Sequence, residues 1–207
     1  MVTGGASMTC RCGNVQIEFP TAMPRVSTEC CCNHCFARVA YLERLGGPSV
    51  PGKKPLLNSK WDNRITVVKG RDSLFAYKLT PETQVLNIAT TCCHTFLLGR
   101  HSGYDANCVT TCSDFPVWTN KGGPFVASSR WFSNQWEPEV LNQFPKLVGI
   151  WVNEEDGSIQ GETGWEEVFQ EQVECMQREI QQDATGESFE NILDAIGRDN
   201  IVIVNDG

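Results

Sequence analysis

Residues 30–35 read Cys-Cys-Cys-Asn-His-Cys, which puts four of the chain's eleven cysteines and one of its three histidines within six positions. Thiolates this close repel one another and are costly to bury unless a cation holds them. Zinc is the usual cation for such a set, binding sulfur at about 2.3 Å and favouring four ligands. Cys30, Cys32 and Cys35 form a C-x-C-x-x-C, so one short loop can offer three sulfurs to one metal. The tetrahedron is then completed by Cys31, by His34, by a residue from elsewhere, or by water or a substrate thiol at an open position. A closed shell is structural, whereas an open one can do chemistry.

Two other cysteine groups bear on that choice. Cys10-Arg11-Cys12-Gly13-Asn14 is a C-x-C followed by a turn signal, and Cys92-Cys93-His94-Thr95 is a second short knuckle. With the middle motif this makes seven candidate thiolates in three clusters, enough for two zinc sites and too many for one. The simplest partition joins Cys10, Cys12, Cys92 and Cys93 in a structural site, whose zinc contributes folding energy. It leaves Cys30, Cys32 and Cys35 as a second site with an open position. A zinc held by three thiolates is electron-rich and a weak Lewis acid, better suited to binding and delivering a thiol than to making hydroxide. Formation or cleavage of a carbon–sulfur bond is the natural reaction class. Cys108 and Cys112 are four apart but lack a partner pair, and are expected to be core or free thiols. No chemistry is expected of Cys175.

Other classes find little support. There is no G-x-S-x-G elbow, no G-x-G-x-x-G and no P-loop. The formal net charge is -8, and the basic residues are scattered, with Lys53-Lys54 the one adjacent pair. Nucleic-acid binding needs a basic footprint that this chain lacks. No apolar run is long enough to cross a bilayer, and Met1–Ser7 does not read as an export signal. A cytoplasmic, reducing setting is therefore expected, with no membrane partner, in which cysteines serve as metal ligands rather than disulfides.

The elements that must position these thiols are mostly strands. Val15–Phe19 alternates apolar and polar residues and ends at Pro20. Ile65–Gly70, Ser73–Leu79, Gln84–Thr90 and Phe96–Gly99 read as an antiparallel meander carrying the 92–93 knuckle at a corner. Phe36–Leu45 fits either a short helix or an extended segment. Gly46–Ser59 reads as a long Gly/Pro loop, and 102–136, with Trp118, Trp131 and Trp136, as irregular. Beyond Gly161 the period changes. Trp165, Val168, Phe169, Val173, Met176 and Ile180 mark an amphipathic helix, and Phe189, Ile192, Leu193 and Ile196 a second, with Ser188 as N-cap. The first has acidic neighbours, the excess running from Glu154 to Glu174. These helices are expected to pack on the β-domain, and are also the candidate surface for a homodimer. Ile201–Val204 reads as a terminal strand or a docking tail. Arg100 and His101 follow the third cluster, where they suit either a solvated strand end or contact with an acidic substrate. The expected class is mainly β with C-terminal α-helices, divided as a zinc-binding β-domain over 1–151 and an acidic helical extension over 152–207.

The order of these motifs resembles the glutathione-dependent formaldehyde-activating enzyme family, which includes the centromere protein V domain. That family opens with C-x-C-G and a strand, as Cys10-Arg11-Cys12-Gly13-Asn14-Val15 does. A C-x-C-x-x-C follows, matched by Cys30, Cys32 and Cys35, and then a "KG…L..Y" hairpin, matched by Lys69-Gly70, Leu74 and Tyr77. The likeness runs over about residues 8–100. It implies an Mss4-like β-fold with two zinc sites. The outer motifs would hold structural zinc, and Cys30, Cys32 and Cys35 the catalytic zinc that handles the glutathione thiol as it adds to formaldehyde, a carbon–sulfur lyase reaction run in reverse. The chain departs from the pattern in two places. Residue 90, where the first cysteine of a C-x-x-C-G-[ST] knuckle belongs, is threonine, leaving Cys92, Cys93 and His94 as candidates to complete the structural site. Cys31 stands where a histidine or other polar residue is usual, as a bystander, a redox partner or an alternative ligand.

Overall fold

A computed structural model describes residues 5–49, 54–102, 107–119, 125–132, 142–144, 146–153 and 158–204. Trp136 and Glu154–Asp156 lie outside these residues. The strands, in chain order, are β1 (Ser7–Thr9), β2 (Gln16–Glu18), β3 (Val26–Cys30), β4 (Leu56–Asp62), β5 (Thr66–Lys69), β6 (Leu74–Lys78), β7 (Val85–Thr90) and β8 (Phe96–His101). They continue as β9 (Cys108–Cys112), β10 (Val117–Trp118), β11 (Ser129–Phe132), β12 (Val148–Val152), β13 (Ile159–Gly161) and β14 (Val202–Ile203). Among the described residues three α-helices accompany them: α1 (Asn33–Arg44), α2 (Trp165–Gln177) and α3 (Phe189–Ile196). The chain is thus mainly β with helices towards its C-terminal end, as the hydrophobic periodicity implies.

The strands form two sheets. A small antiparallel one runs β10-β1-β2-β5, and a large one runs β13-β12-β11-β3-β4-β9-β8-β7-β6-β14. The large sheet is parallel at β12/β11, β11/β3 and β6/β14 and antiparallel at its other pairings. The expected meander holds for β6, β7 and β8, but β5 pairs with β2 in the small sheet. Gly70 makes that exchange of sheets possible. Its φ is 77°, and a Cβ there would stand 2.4 Å from the Asn14 carbonyl oxygen, so only glycine fits so close to the first knuckle.

The large sheet is covered on both faces. Met8 and Ile17 of the small sheet share one core with Trp61, Leu74, Ala76 and Ile88, closed by Phe189, Ile192 and Leu193 of α3. Phe19, Trp61 and Trp118 stack in this core, with Phe125 edge-on to both tryptophans. On the opposite face Val39 and Leu42 of α1 pack with Leu56, Tyr77, Ala89 and Phe96. Alternation in β6 serves both cores: Leu74 and Ala76 face one, Phe75 and Tyr77 the other.

Two stretches differ from the sequence expectation. Of Gly46–Ser59, residues 56–59 begin β4, a seven-residue strand between β3 and β9. The stretch 102–136 contains β9, β10 and β11. All five residues of β9 are buried, so no polar face betrays the strand, while the Gly- and Asn-rich flanks read as loop. Near the C-terminus α2 ends at Gln177, before Ile180, where Arg25 takes over its carbonyls. The guanidinium donates to Cys175 O at 3.0 Å and pairs with buried Asp62. Ser188 caps α3 as expected, its Oγ accepting from Asn191 N at 3.2 Å. Val202–Ile203 is a strand, paired with Tyr77–Lys78. Arg100 forms an ion pair with Glu190 of α3.

Candidate metal centres

Two groups of sulfurs converge, in the partition that the spacing suggests. Cys10, Cys12, Cys92 and Cys93 have their Sγ atoms within 4.8 Å of one another, and so do Cys30, Cys32 and Cys35. A tetrahedral zinc with bonds of about 2.3 Å places its sulfurs about 3.8 Å apart. In the four-sulfur group the separations are 3.6 Å for Cys10–Cys12, 3.8 Å for Cys10–Cys92, 3.3 Å for Cys12–Cys92 and 3.9 Å for Cys92–Cys93. Cys30 and Cys32 are 3.2 Å apart. Both donor sets fit a thiophilic divalent ion.

The four-sulfur group is assembled by two turns. The β1–β2 turn supplies Cys10, fully buried, and Cys12, exposed. Val15 N donates to Cys10 Sγ at 3.2 Å, and Gly13 N to the Cys10 carbonyl at 2.8 Å. The β7–β8 turn supplies the other two, and Thr90 braces it. Thr90 Oγ1 accepts from Thr95 N at 3.1 Å and lies 3.5 Å from Cys93 Sγ, while Thr95 Oγ1 is 3.1 Å from the same sulfur. His94 adopts φ 48°, the left-handed conformation that a glycine would take at no cost. That strain turns the chain sharply enough for adjacent Cys92 and Cys93 to meet the same pair of sulfurs. The His94 ring packs edge-on to Phe75 and is not in the group.

Charge is unevenly shared among these sulfurs. Burial works against a Cys93 thiolate, but hydrogen bonds from the Thr90 and Thr95 hydroxyls and from Cys12 bring its pKa down to about 6. Burial and the bond to Cys12 push Cys92 up to about 12, and burial likewise raises Cys10. Without metal, negative charge is thus favoured at Cys93 over Cys92 and Cys10.

The three-sulfur group sits where β3 meets α1. Cys30 ends the strand, Cys32 is the helix N-cap, and Cys35 lies in the first turn. Cys32 Sγ accepts from Cys35 N at 3.3 Å, so the C-x-x-C is also the capping device of the helix. The positive end of α1 favours anionic sulfur there. Hydrogen bonds from Cys30 and Cys32 hold Cys35 well below the usual thiol range, with help from Arg38 and Asn58 and against burial. Hydrogen bonds to Cys32 and Cys35, with burial, raise Cys30 well above it. Cys30 and Cys35 are buried and Cys32, at the helix cap, is partly so.

The remaining cysteines stand apart from both groups. Cys31 is fully buried, its N–H bonded to the Trp131 carbonyl at 2.8 Å. Burial pushes its thiol up to about 12, partly offset by Arg130. Cys108 Sγ lies 3.4 Å from the Met176 carbonyl, and Cys112 Sγ 3.7 Å from an Asp114 carboxylate oxygen. Cys175 is half-buried on α2. Sequence reasoning missed Arg38 and Asn58. Asn58 Nδ2 lies 3.5 Å from Cys35 Sγ, and Arg38 Nη2 donates to Asn58 Oδ1 at 2.7 Å. The available signal was a cation at the position three after Cys35, on the helix face that also carries Val39 and Leu42.

Compared with family models, curated proteins and solved structures, the chain matches none. Among the described residues no helix is long and apolar enough to cross a membrane.

Proposed function

We propose that the chain is a two-zinc protein of the glutathione-dependent formaldehyde-activating type, with one structural centre and one that handles a small thiol. The observation that carries this reading is the inequality of the two groups. Cys10, Cys12, Cys92 and Cys93 bring together four sulfurs, the number a closed tetrahedral shell needs, whereas Cys30, Cys32 and Cys35 bring together three. A zinc ion in the second group would supply a soft acceptor that keeps a substrate sulfur deprotonated near neutral pH.

The chain's own residues supply position and polarity. Cys32, part-exposed at the helix cap, marks the side from which a thiol would approach. Cys30 and Cys35 are held from behind by the core that α1 forms with the sheet. In the reaction proposed, the substrate sulfur bonds to the carbonyl carbon of a small aldehyde and the thiol proton ends on the former carbonyl oxygen. The reverse step cleaves that carbon–sulfur bond. Glutathione is the thiol that the motif order suggests, and formaldehyde the aldehyde.

Cobalt substitution tests the reading. Two equivalents per chain are expected, and glutathione should perturb the absorption of one and leave the other unchanged. Two centres both indifferent to glutathione would instead assign the chain as a zinc-stabilised binding module.

A further inference from the structure

α1 carries a buried charge that the reading above does not use. Arg38 is 3% exposed, yet among the described residues no carboxylate pairs with it. Burying an uncompensated guanidinium is strongly unfavourable. The groups that face it are Cys35, Cys112, Tyr77 and Cys30, and its guanidinium lies over the Phe96 ring, 4.4 Å from the centroid. Phe96 follows directly on the 92–95 knuckle. Gly99, in the same strand, lies beside the side chain, a Cβ there standing 3.4 Å from Arg38 Nη1. Arg38 Nη2 donates to Asn58 Oδ1 at 2.7 Å, and that bond fixes the amide so that its NH2 side faces Cys35 Sγ at 3.5 Å. Because Asn58 belongs to β4 and Arg38 to α1, the chain of contacts ties the sheet to the helix that carries the ligands.

We propose that Arg38 is the charge-balancing and positioning residue of the three-sulfur centre, acting on Cys35 directly and through Asn58. Three thiolates around a divalent ion leave one net negative charge, and Arg38 supplies one positive charge beside it in a medium where that attraction is strong. The four-sulfur group would carry two net negative charges when loaded and, among the described residues, has no buried arginine of this kind, which suits a centre that only has to stay closed. At the three-sulfur centre the balance is met before a fourth ligand arrives. A substrate thiolate entering there restores a net charge and is held less tightly than a fourth protein sulfur, so it can leave. Outer partners of this kind are worth on the order of 10- to 100-fold in metal affinity.

This inference rests on the two-metal reading, and the experiment separates the two. Cobalt(II) is titrated into wild type, Arg38→Met, Arg38→Lys and Asn58→Asp, following stoichiometry, affinity and the sulfur-to-cobalt charge-transfer band. Wild type must bind two equivalents. A single equivalent there would overturn the reading and, with it, the role of Arg38. Given two, Arg38→Met should weaken one centre by about 10- to 100-fold and shift its band to lower energy, the other centre staying unchanged. Arg38→Lys should recover most of the affinity. Asn58→Asp discriminates further and guards against a Met variant that fails to fold. A carboxylate at 58 can pair with Arg38 and preserve packing, but it removes the N–H donor to Cys35 and draws the cation away. It should weaken the same centre at least tenfold. If Asn58→Asp and the folded Arg38 variants bind both equivalents with unshifted bands and affinities within threefold of wild type, Arg38 is a packing residue and the proposal fails.

Discussion

Cys12→Ser isolates the metal's contribution to folding at the four-sulfur group. Cys12 is exposed, so its replacement removes a ligand and almost no buried apolar surface. A structural zinc of this kind contributes about 10–16 kcal/mol of apparent binding energy. Divided among four sulfurs, loss of one thiolate costs roughly 3 kcal/mol, which corresponds to on the order of 100-fold in affinity. For a chain of this length it lowers the melting temperature by about 6–12 °C. The assay is thermal and urea unfolding in zinc-buffered solutions spanning several decades of free zinc. Wild type should gain stability as free zinc rises, and Cys12→Ser should need on the order of 100-fold more zinc to reach the same midpoint. Cys10→Ser provides the internal contrast. Cys10 is fully buried in the core beside Val15 and Ile17, so its replacement should add a zinc-independent loss of about 1–3 kcal/mol. If Cys12→Ser and wild type show the same zinc dependence, the four sulfurs are not a metal centre and the argument from their spacing is refuted.

His94→Gly should stabilise the protein by about 1 kcal/mol, read as a higher urea midpoint, because it relieves a left-handed conformation; zinc stoichiometry should not change. Cys31→Ala should keep both metal equivalents while costing about 1 kcal/mol of burial, since Cys31 is buried outside the three-sulfur group. Loss of an equivalent by metal analysis would make Cys31 a ligand. Arg25→Met should cost about 3–5 kcal/mol in denaturant unfolding, because it strands Asp62 in a buried site and uncaps α2.

Much of this molecule was legible because its chemistry and its periodicity are local. The grouping of Cys10 and Cys12 with Cys92 and Cys93 followed from counting ligands, and the alternation in β6 and the helical spacing in α2 and α3 marked those elements directly. What stayed hidden depends on partners far along the chain. β9 has no polar face because cores lie on both sides of it. β11 gains its identity from parallel pairing with β3 and β12, which no short window displays. At the knuckle, only the fold reveals that His94 makes the turn in a left-handed conformation and that Thr90 and Thr95 brace Cys93. Asn58 reads as one residue of a Gly/Pro-flanked segment until β4 sets it against Cys35.

The most direct test of the account is zinc analysis joined to X-ray absorption at the zinc edge on the purified full chain. Two zinc ions per chain are predicted, with an average first shell between three and four sulfurs at about 2.3 Å and a minor oxygen or nitrogen contribution that is replaced by sulfur when glutathione is added. One zinc per chain, or two with uniform four-sulfur shells that glutathione leaves unchanged, would contradict it.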